Sequence, residues 1–91
     1  MNIWIFECND STQIQCWERN LFGSKAKWPL NVKNGEYCLL YNYSQGTEHL
    51  IYGVYKAILN GGRNIISNAW DGEYPYQARV SLVDDVQDIV H

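Results

Sequence analysis

Apolar residues recur along the chain at two different spacings, and these spacings predict one helix and four strands. Ile3 to Glu7 is apolar and rich in strand-forming residues, so it predicts a short, central first strand. A helix over about residues 11–21 follows, because three apolar residues recur at helical spacing: Ile14, Trp17 and Leu21. Gly23 is then predicted to end the helix, because glycine readily adopts the left-handed conformation found at helix ends.

Three further strands are predicted after a connection that ends in the Asn34–Gly35 turn. The second runs from Tyr37 to Tyr43, with Tyr37, Leu39, Tyr41 and Tyr43 on one face. The third runs from His49 to Leu59, with Gly53 marking a bulge or a close backbone approach. The last, Tyr76 to Val83, has one polar side formed by Gln77, Arg79 and Ser81. The intervening residues 63–76 are predicted to be irregular, with a helical turn near Asn68. The tail from Asp84 to His91 is predicted to form another helical turn.

This order, β-α-β-β-loop-β, predicts an α+β fold that can close into a small barrel, with residues 1–91 as a single domain. The start of the helix allows two interpretations. Asp10 and Gln13 fit a capping box, with Ser11 as an alternative cap, which leaves Asn9 available for other contacts. Asn9 and Asp10 fit equally well at the mouth of a pocket, presenting hydrogen-bonding groups.

The composition favours a binding protein over an enzyme. Three cysteines without a CxxC pair are expected to be reduced, buried thiols of an intracellular, cytoplasmic protein. His49 and His91 have no catalytic signature, no ligand cluster has metal spacing, and Gly61–Gly62 lacks the residues of a phosphate-binding loop. We therefore expect no catalysis, no metal and no cofactor. A membrane partner is not expected either, since no apolar run approaches 20 residues, and "MNIWIF" has no signal-peptide pattern.

Aromatic residues are the most informative feature: the chain has four Trp, seven Tyr and two Phe in 91 positions. Trp4 and Trp17 are predicted to pack in the core. Trp28 and Trp70 fall in irregular segments, where they either cap the ends of the barrel or form facing walls around one nucleobase. Stacking a base on an aromatic ring contributes about 1–3 kcal/mol.

The charge is −3, which argues against non-specific DNA binding, yet four basic residues fall within fifteen positions and could form a local patch: Arg19, Lys25, Lys27 and Lys33. Arg63, beside Gly61–Gly62, is a further candidate phosphate contact.

Several blocks, in order, resemble the DCD (development and cell death) domain: "FECNDSTQIQCWERNLFG", "YCLLYNYSQGTEHLIYGVYKA", "GGRNIISNAW" and "YPYQARV". That family is similar to the PUA-like group, which includes the YTH and EVE domains. The resemblance implies a PUA-like pseudo-barrel of about five strands. It also implies an aromatic cage with Trp28 and Trp70 as walls and Asn9 or Asp10 reading the base edge.

The leading functional hypothesis is a non-enzymatic module that recognises a modified base in RNA or DNA. Its phosphate contacts would be Arg19, Lys25, Lys27, Lys33 and Arg63. The alternative is a protein-interaction module of the DCD type, acting in stress or cell-death signalling. Its Tyr-rich strand, with Tyr37, Tyr41 and Tyr43, would dock a protein partner or form a homodimer. A small-molecule binder using the same pocket is a third hypothesis.

Overall fold

The computed structural model describes residues 2–44 and 53–84, which form one helix and a curled mixed sheet. The strands are β1 (Ile3–Cys8), β2 (Leu21–Ser24), β3 (Tyr37–Asn42), β4 (Val54–Ala57), β5 (Gly62–Arg63) and β6 (Tyr76–Asp84). The helix α1 is Asp10–Arg19, and two 3-10 turns are Trp28–Asn31 and Ala69–Gly72. The α+β pseudo-barrel predicted from the sequence is confirmed.

The sheet curls into a half-barrel whose two ends approach each other. Its strand order is β1-β3-β4-β6-β2, with β5 also pairing β6. β1 pairs β3 in parallel, and the other pairings are antiparallel. The first strand is therefore at an edge, and the prediction that it is central is wrong. Because β1 and β2 each lack a ladder on the side where they approach, a seam is left between them. This seam positions the candidate site.

The interior of the half-barrel is filled by side chains from both sides of the seam. Phe6 of β1 packs against Phe22 of β2 with ring centroids 5.5 Å apart, and Phe22 meets Tyr55 of β4 edge-on at 4.9 Å. Leu40 and Val80 are also buried in this core. Contacts between the rings thus close the interior behind the seam, where no backbone ladder does so.

The helix begins and ends one or two residues earlier than its apolar spacing predicts. Asn9 is the N-cap: its side-chain oxygen accepts the N–H groups of Ser11 and Thr12, and the Thr12 hydroxyl accepts the Asn9 N–H. Asn20, in the left-handed conformation at φ 50°, ends the helix before Gly23 is reached. The capping box predicted at Asp10 is therefore wrong, because Asn9 occupies that role.

The buried side of the helix also differs from the prediction. Cys16 is the buried residue of α1, whereas Ile14 and Trp17 are 56% and 43% exposed. Core packing of Trp17 was the expectation, and it is wrong. Trp4 is partly buried and packed against the core.

The later strands match their predictions in part. The alternation of β3 is confirmed, with Cys38, Leu40 and Asn42 buried and the tyrosine face half-buried. A register shift between Val54 and Tyr55 follows Gly53, as the glycine indicates. The third predicted strand, His49 to Leu59, corresponds to β4, which covers residues 54–57. Positions 49–52 and most of the predicted tail turn lie outside the described residues.

The predicted polar side of the last strand is wrong at Gln77, which is 1% exposed. Its side chain accepts the Ile66 N–H and donates to the carbonyl groups of Ile66 and Tyr74. Buried polar groups require such partners, and Gln77 thereby fixes the irregular loop between β5 and β6. A turn follows Asn68, at Ala69–Gly72, but it is not the regular helical turn expected there, because Trp70 and Asp71 have left-handed backbone angles, with φ 48° and 54°.

Candidate functional site

An open groove of about 410 Å³ lies at the seam between β1 and β2. Ligand pockets in proteins usually occupy about 300–1,000 Å³, so the groove is large enough for one flat heterocycle with its sugar. It combines aromatic, acidic and basic side chains, and its lining is formed by Ile5, Glu7, Gly23, Ser24, Lys25, Trp28, Tyr43 and Tyr74.

Trp28 is held rigidly on one side of this groove. It begins the 3-10 turn Trp28–Asn31, which Pro29 at its second position favours because the φ angle of proline is fixed. The indole stacks on Trp4 with centroids 5.6 Å apart and planes 8° from parallel, and it contacts Phe6 at 4.6 Å. One face of Trp28 is therefore supported by the protein while the residue still lines the groove.

A carboxylate orients the supporting tryptophan. The Trp4 indole N–H donates to Glu36 Oε1 at 2.9 Å, and the Lys33 backbone N–H donates to the same oxygen at 2.8 Å. Both hydrogen bonds lower the pKa of Glu36 from its usual value, because they favour its charged form, and the bond from Lys33 has the larger effect. Glu36 thus fixes the turn that precedes β3 and the ring on which Trp28 rests.

Tyr74 supplies a second aromatic surface in the groove. Lys25 Nζ lies 5.4 Å from the centre of its ring, a cation–π distance. Trp70 meets Tyr74 edge-on from the interior at 5.6 Å. An aromatic side chain backed by a second ring is therefore present on each of two segments that line the groove.

Trp70 itself belongs to the interior. It is 6% exposed, its indole N–H donates to the Thr12 carbonyl at 3.0 Å, and its backbone N–H donates to the Gln15 side chain at 2.8 Å. Its ring packs so closely on Gly23 that a Cβ there would lie 2.7 Å from Cζ3. Trp70 lines only a narrow crevice that shares Glu7, Gly23 and Tyr74 with the groove. Of the two tryptophans expected as walls, the structure therefore places Trp28 at the groove and Trp70 behind its lining.

Asn9 and Asp10 are engaged in structural contacts. Besides capping the helix, Asn9 donates from Nδ2 to the Tyr43 hydroxyl at 3.4 Å. Asp10 accepts a hydrogen bond from Asn42 at 2.9 Å, and its backbone N–H donates to Ser44. Neither residue lines the groove, and it is Asn9 that is connected to it, through the Tyr43 hydroxyl.

The five predicted phosphate contacts are spread over the surface. Lys25 lines the groove, and Lys27 is exposed directly before the turn that carries Trp28. Lys33 and Arg63 are exposed on other segments, in the turn before β3 and in β5. Arg19 lies in a separate groove beside Arg79.

Sequence reasoning missed four lining residues: Glu7, Ser24, Tyr43 and Tyr74. Glu7 carries a detectable signal, since it alternates with Ile3 and Ile5 on the face of β1 opposite the buried Phe6. Tyr74 carries none, because its position depends on how residues 64–75 fold against β6.

The cysteines do not provide a nucleophile. Cys8, Cys16 and Cys38 are buried and free, as predicted. Burial, with smaller contributions from Asp10, Cys8 and Glu36 respectively, raises the pKa of each thiol to about 12. The thiols are therefore protonated at neutral pH. Residues 2–44 and 53–84 contain no group of three or more His, Cys, Asp or Glu placed to hold a metal ion, and no helix among them is long and apolar enough to cross a membrane.

A family model described as "Development and cell death domain" matches residues 2–91. The chain belongs to this DCD domain family. Among curated DCD relatives, "DCD domain-containing protein NRP-A" of Glycine max is 33% identical over 88 residues, covering 88% of this chain and 23% of its own length. "B2 protein" of Daucus carota is 37% identical over 87 residues, covering 85% of this chain and 41% of its own length. This DCD chain thus spans less than half of either relative.

Solved structures with a similar fold are YTH domains. The YTH domain-containing protein mmi1, in a complex with RNA, superposes with a TM-score of 0.66 at 10% identity, covering 93% of the DCD chain and 56% of its own. The YTH domain of Zygosaccharomyces rouxii MRB1, in complex with N6-methyladenosine RNA, gives 0.58 at 11% identity, with coverage of 94% and 61%. These similarities show that the DCD chain has the YTH-like fold.

Proposed function

We propose that this DCD domain is a non-enzymatic module that binds single-stranded RNA and holds one base, preferably a methylated one, in the groove between β1 and β2. The single observation that carries the proposal is the combination in one groove of two aromatic residues, Trp28 and Tyr74, with Lys25. Aromatic rings that accept bases, together with a cation for the backbone, are the usual elements of single-strand recognition. The two YTH domains of similar fold are in complexes with RNA, which supports the same function.

The roles within the groove follow from the side chains. Trp28 stacks on the base, since its other face is already supported by Trp4. Glu7 accepts a hydrogen bond from an amino or imino group on the base edge, as carboxylates do in base recognition. Trp70 supports Tyr74 from the interior, and Tyr74 takes the place of the second wall that the sequence assigned to Trp70. Lys25 and Lys27 contact the phosphates flanking the base. Asn9 contributes through its hydrogen bond to the Tyr43 hydroxyl, and Asp10 contributes by binding Asn42 at the end of β3.

A methyl group on the base would add a modest gain in affinity. Burying one methyl carbon against aromatic rings contributes about 0.8 kcal/mol, which corresponds to roughly fourfold in affinity. Methyl recognition by this groove is therefore expected as a preference, with the unmodified base still bound.

Trp28→Ala is expected to weaken binding of a nine-nucleotide RNA by about 5–150-fold, because stacking of one base contributes about 1–3 kcal/mol. Trp28→Phe, which keeps a smaller ring on Trp4, should recover part of the affinity. Fluorescence anisotropy with N6-methyladenosine RNA, the plain RNA and the equivalent DNA measures the effect, and circular dichroism confirms that each variant is folded.

The matched control for this test is Trp17→Ala, which removes an indole that is 43% exposed on α1 and lies outside the groove lining. Its RNA affinity should stay close to that of the natural chain. Equal losses in both variants, or no measurable binding by the natural chain below millimolar concentration, would contradict the base-binding groove.

A second candidate function is protein interaction, which the outer face of the sheet favours. Ile3 and Ile5 are 62% and 52% exposed on β1, and the β-ladder pairs them with the half-buried Tyr37 and Leu39 of β3. Neighbouring exposed apolar residues of this kind often mark protein-binding surfaces. A homodimer through this face, or a protein partner, would cover it.

Ile3→Lys is expected to abolish self-association if the outer face forms a homodimer, since a charged side chain would be buried in its interface. Analytical ultracentrifugation should then give a dimer for the natural chain and a monomer for the variant. Ile14→Lys, at an equally exposed site on α1, serves as the control and should remain dimeric. A monomeric natural chain at 100-fold higher concentration than the RNA-binding assay uses would exclude the homodimer.

A further inference from the structure

A second groove, of about 530 Å³, contains two arginines and lies at the opposite end of β2 from the base groove. Arg19 is the last residue of α1, and Arg79 lies in β6 opposite Leu21 of β2. The other lining residues are uncharged: Asn20, Ile58, Val80, Ser81 and Leu82. We refer to this set as the arginine groove.

The two guanidinium groups have no anionic counterpart in the folded chain as described. No lining residue is acidic, and within residues 2–44 and 53–84 no carboxylate forms an ion pair with Arg19 or Arg79. The position of Arg19 has a structural benefit, because a cation stabilises the C-terminus of a helix. Arg79 has no such benefit, since it lies in a strand, and its side chain is only partly buried. Its guanidinium nitrogens stay accessible to solvent, because the described residues contain no buried side-chain nitrogen without a partner.

The backbone holds the two arginines in fixed register. The Val80 N–H donates to the Asn20 carbonyl at 2.9 Å, which ties the residue after Arg19 to the residue after Arg79. Exposed Ile58 and Leu82, each nearly half accessible, form apolar edges beside the charges. Two arginines that line one groove suit a phosphate as ligand, because a guanidinium group can donate two parallel hydrogen bonds to it.

We propose that the arginine groove binds a backbone phosphate of the same RNA strand whose base occupies the groove at the seam. This inference rests on the proposed function and specifies the path of the strand. β2 links the two grooves: Asn20 precedes it and Ser24 ends it. At about 3.3 Å per residue, these positions are roughly 13 Å apart. A stacked strand advances about 3.4 Å per nucleotide, so three or four nucleotides connect the grooves.

The test compares RNA length and salt dependence. The double variant Arg19→Gln/Arg79→Gln should bind a nine-nucleotide RNA on the order of tenfold more weakly at 50 mM salt. Its slope of log affinity against log salt should be shallower by about 0.7, since each phosphate neutralised in a single strand contributes about 0.7. Binding of a dinucleotide, too short to reach the arginine groove, should be unchanged.

Lys56→Gln is the charge-matched control for the single variant Arg79→Gln. Lys56 pairs with Ser81 one step along the sheet but does not line the arginine groove. Only Arg79→Gln should reduce the slope, by at most about 0.7. Equal effects of the two single variants, or an unchanged slope in the double variant, would overturn the inference while leaving the base groove intact. Failure of the natural chain to bind both the dinucleotide and the nine-nucleotide RNA would instead overturn the proposed function, and this inference with it.

Discussion

Trp70→Ala is expected to lower the free energy of unfolding by about 3–5 kcal/mol, as for other large aromatic side chains removed from a core. The indole is almost completely buried, packs on Gly23 and Tyr74, and donates its N–H to the Thr12 carbonyl. Removing it leaves a cavity between the helix and the Ala69–Gly72 turn, and it leaves a buried acceptor without its donor. Urea unfolding followed by circular dichroism measures the loss.

Trp17→Ala is again the control, since the Trp17 indole is 43% exposed. It should lower the free energy of unfolding much less than Trp70→Ala does. A Trp70→Ala variant within about 1 kcal/mol of the natural chain would show that the indole is not packed as described. The total free energy of unfolding of a small domain is only about 5–15 kcal/mol. The alanine variant at position 70 is therefore unsuitable as a probe of RNA binding unless its folded fraction is measured first.

Gly61→Ala is the second substitution with a large expected effect. A Cβ at this position would overlap the Pro29 carbonyl group, which is backbone and has no flexible end to move aside. The Gly61 N–H also donates to the Val32 carbonyl at 2.9 Å, so the strand segment and the Trp28–Asn31 turn are held together at this point. We expect a destabilisation above about 3 kcal/mol, or failure to fold, in thermal and urea unfolding.

The neighbouring glycine provides a matched control. A Cβ on Gly62 would make ordinary contacts, the nearest at 3.4 Å with the Ile65 side chain, so Gly62→Ala should change stability by no more than about 1 kcal/mol. If the two alanine variants were equally stable, the close approach of Gly61 to Pro29 would be wrong. If Gly61→Ala alone unfolds, that approach is established.

The fold was accessible from the sequence because local patterns determine much of it. The alternation in β3 and the irregularity at Gly53 each follow from a few neighbouring residues. Errors arose where a distant contact overrides the local pattern. Gln77 reads as a solvent-facing position, yet it is buried because the backbone at Ile66 and Tyr74 satisfies its amide.

The candidate site was less predictable for the same reason. Trp28 and Lys25 were identified because an aromatic residue next to lysines is visible in the sequence itself. Trp70 looked equally available, since it is surrounded by turn-forming residues, but turn residues do not reveal which side of a loop faces the core. Glu7 and Tyr43 come together through the parallel pairing of β1 with β3, and Tyr74 joins them through the fold of residues 64–75 against β6. Single-residue spacing encodes neither.

The contact between Gly61 and Pro29 also affects whatever enters the groove. It anchors the segment that carries Trp28 to the chain beyond β4, and Trp4 supports the indole from behind. That wall is preorganised: the free protein already holds it in the receptive geometry, and little side-chain freedom is left to lose upon association. The entropic penalty of complex formation then falls mainly on the ligand, so ligands that are already rigid when free should bind with higher affinity.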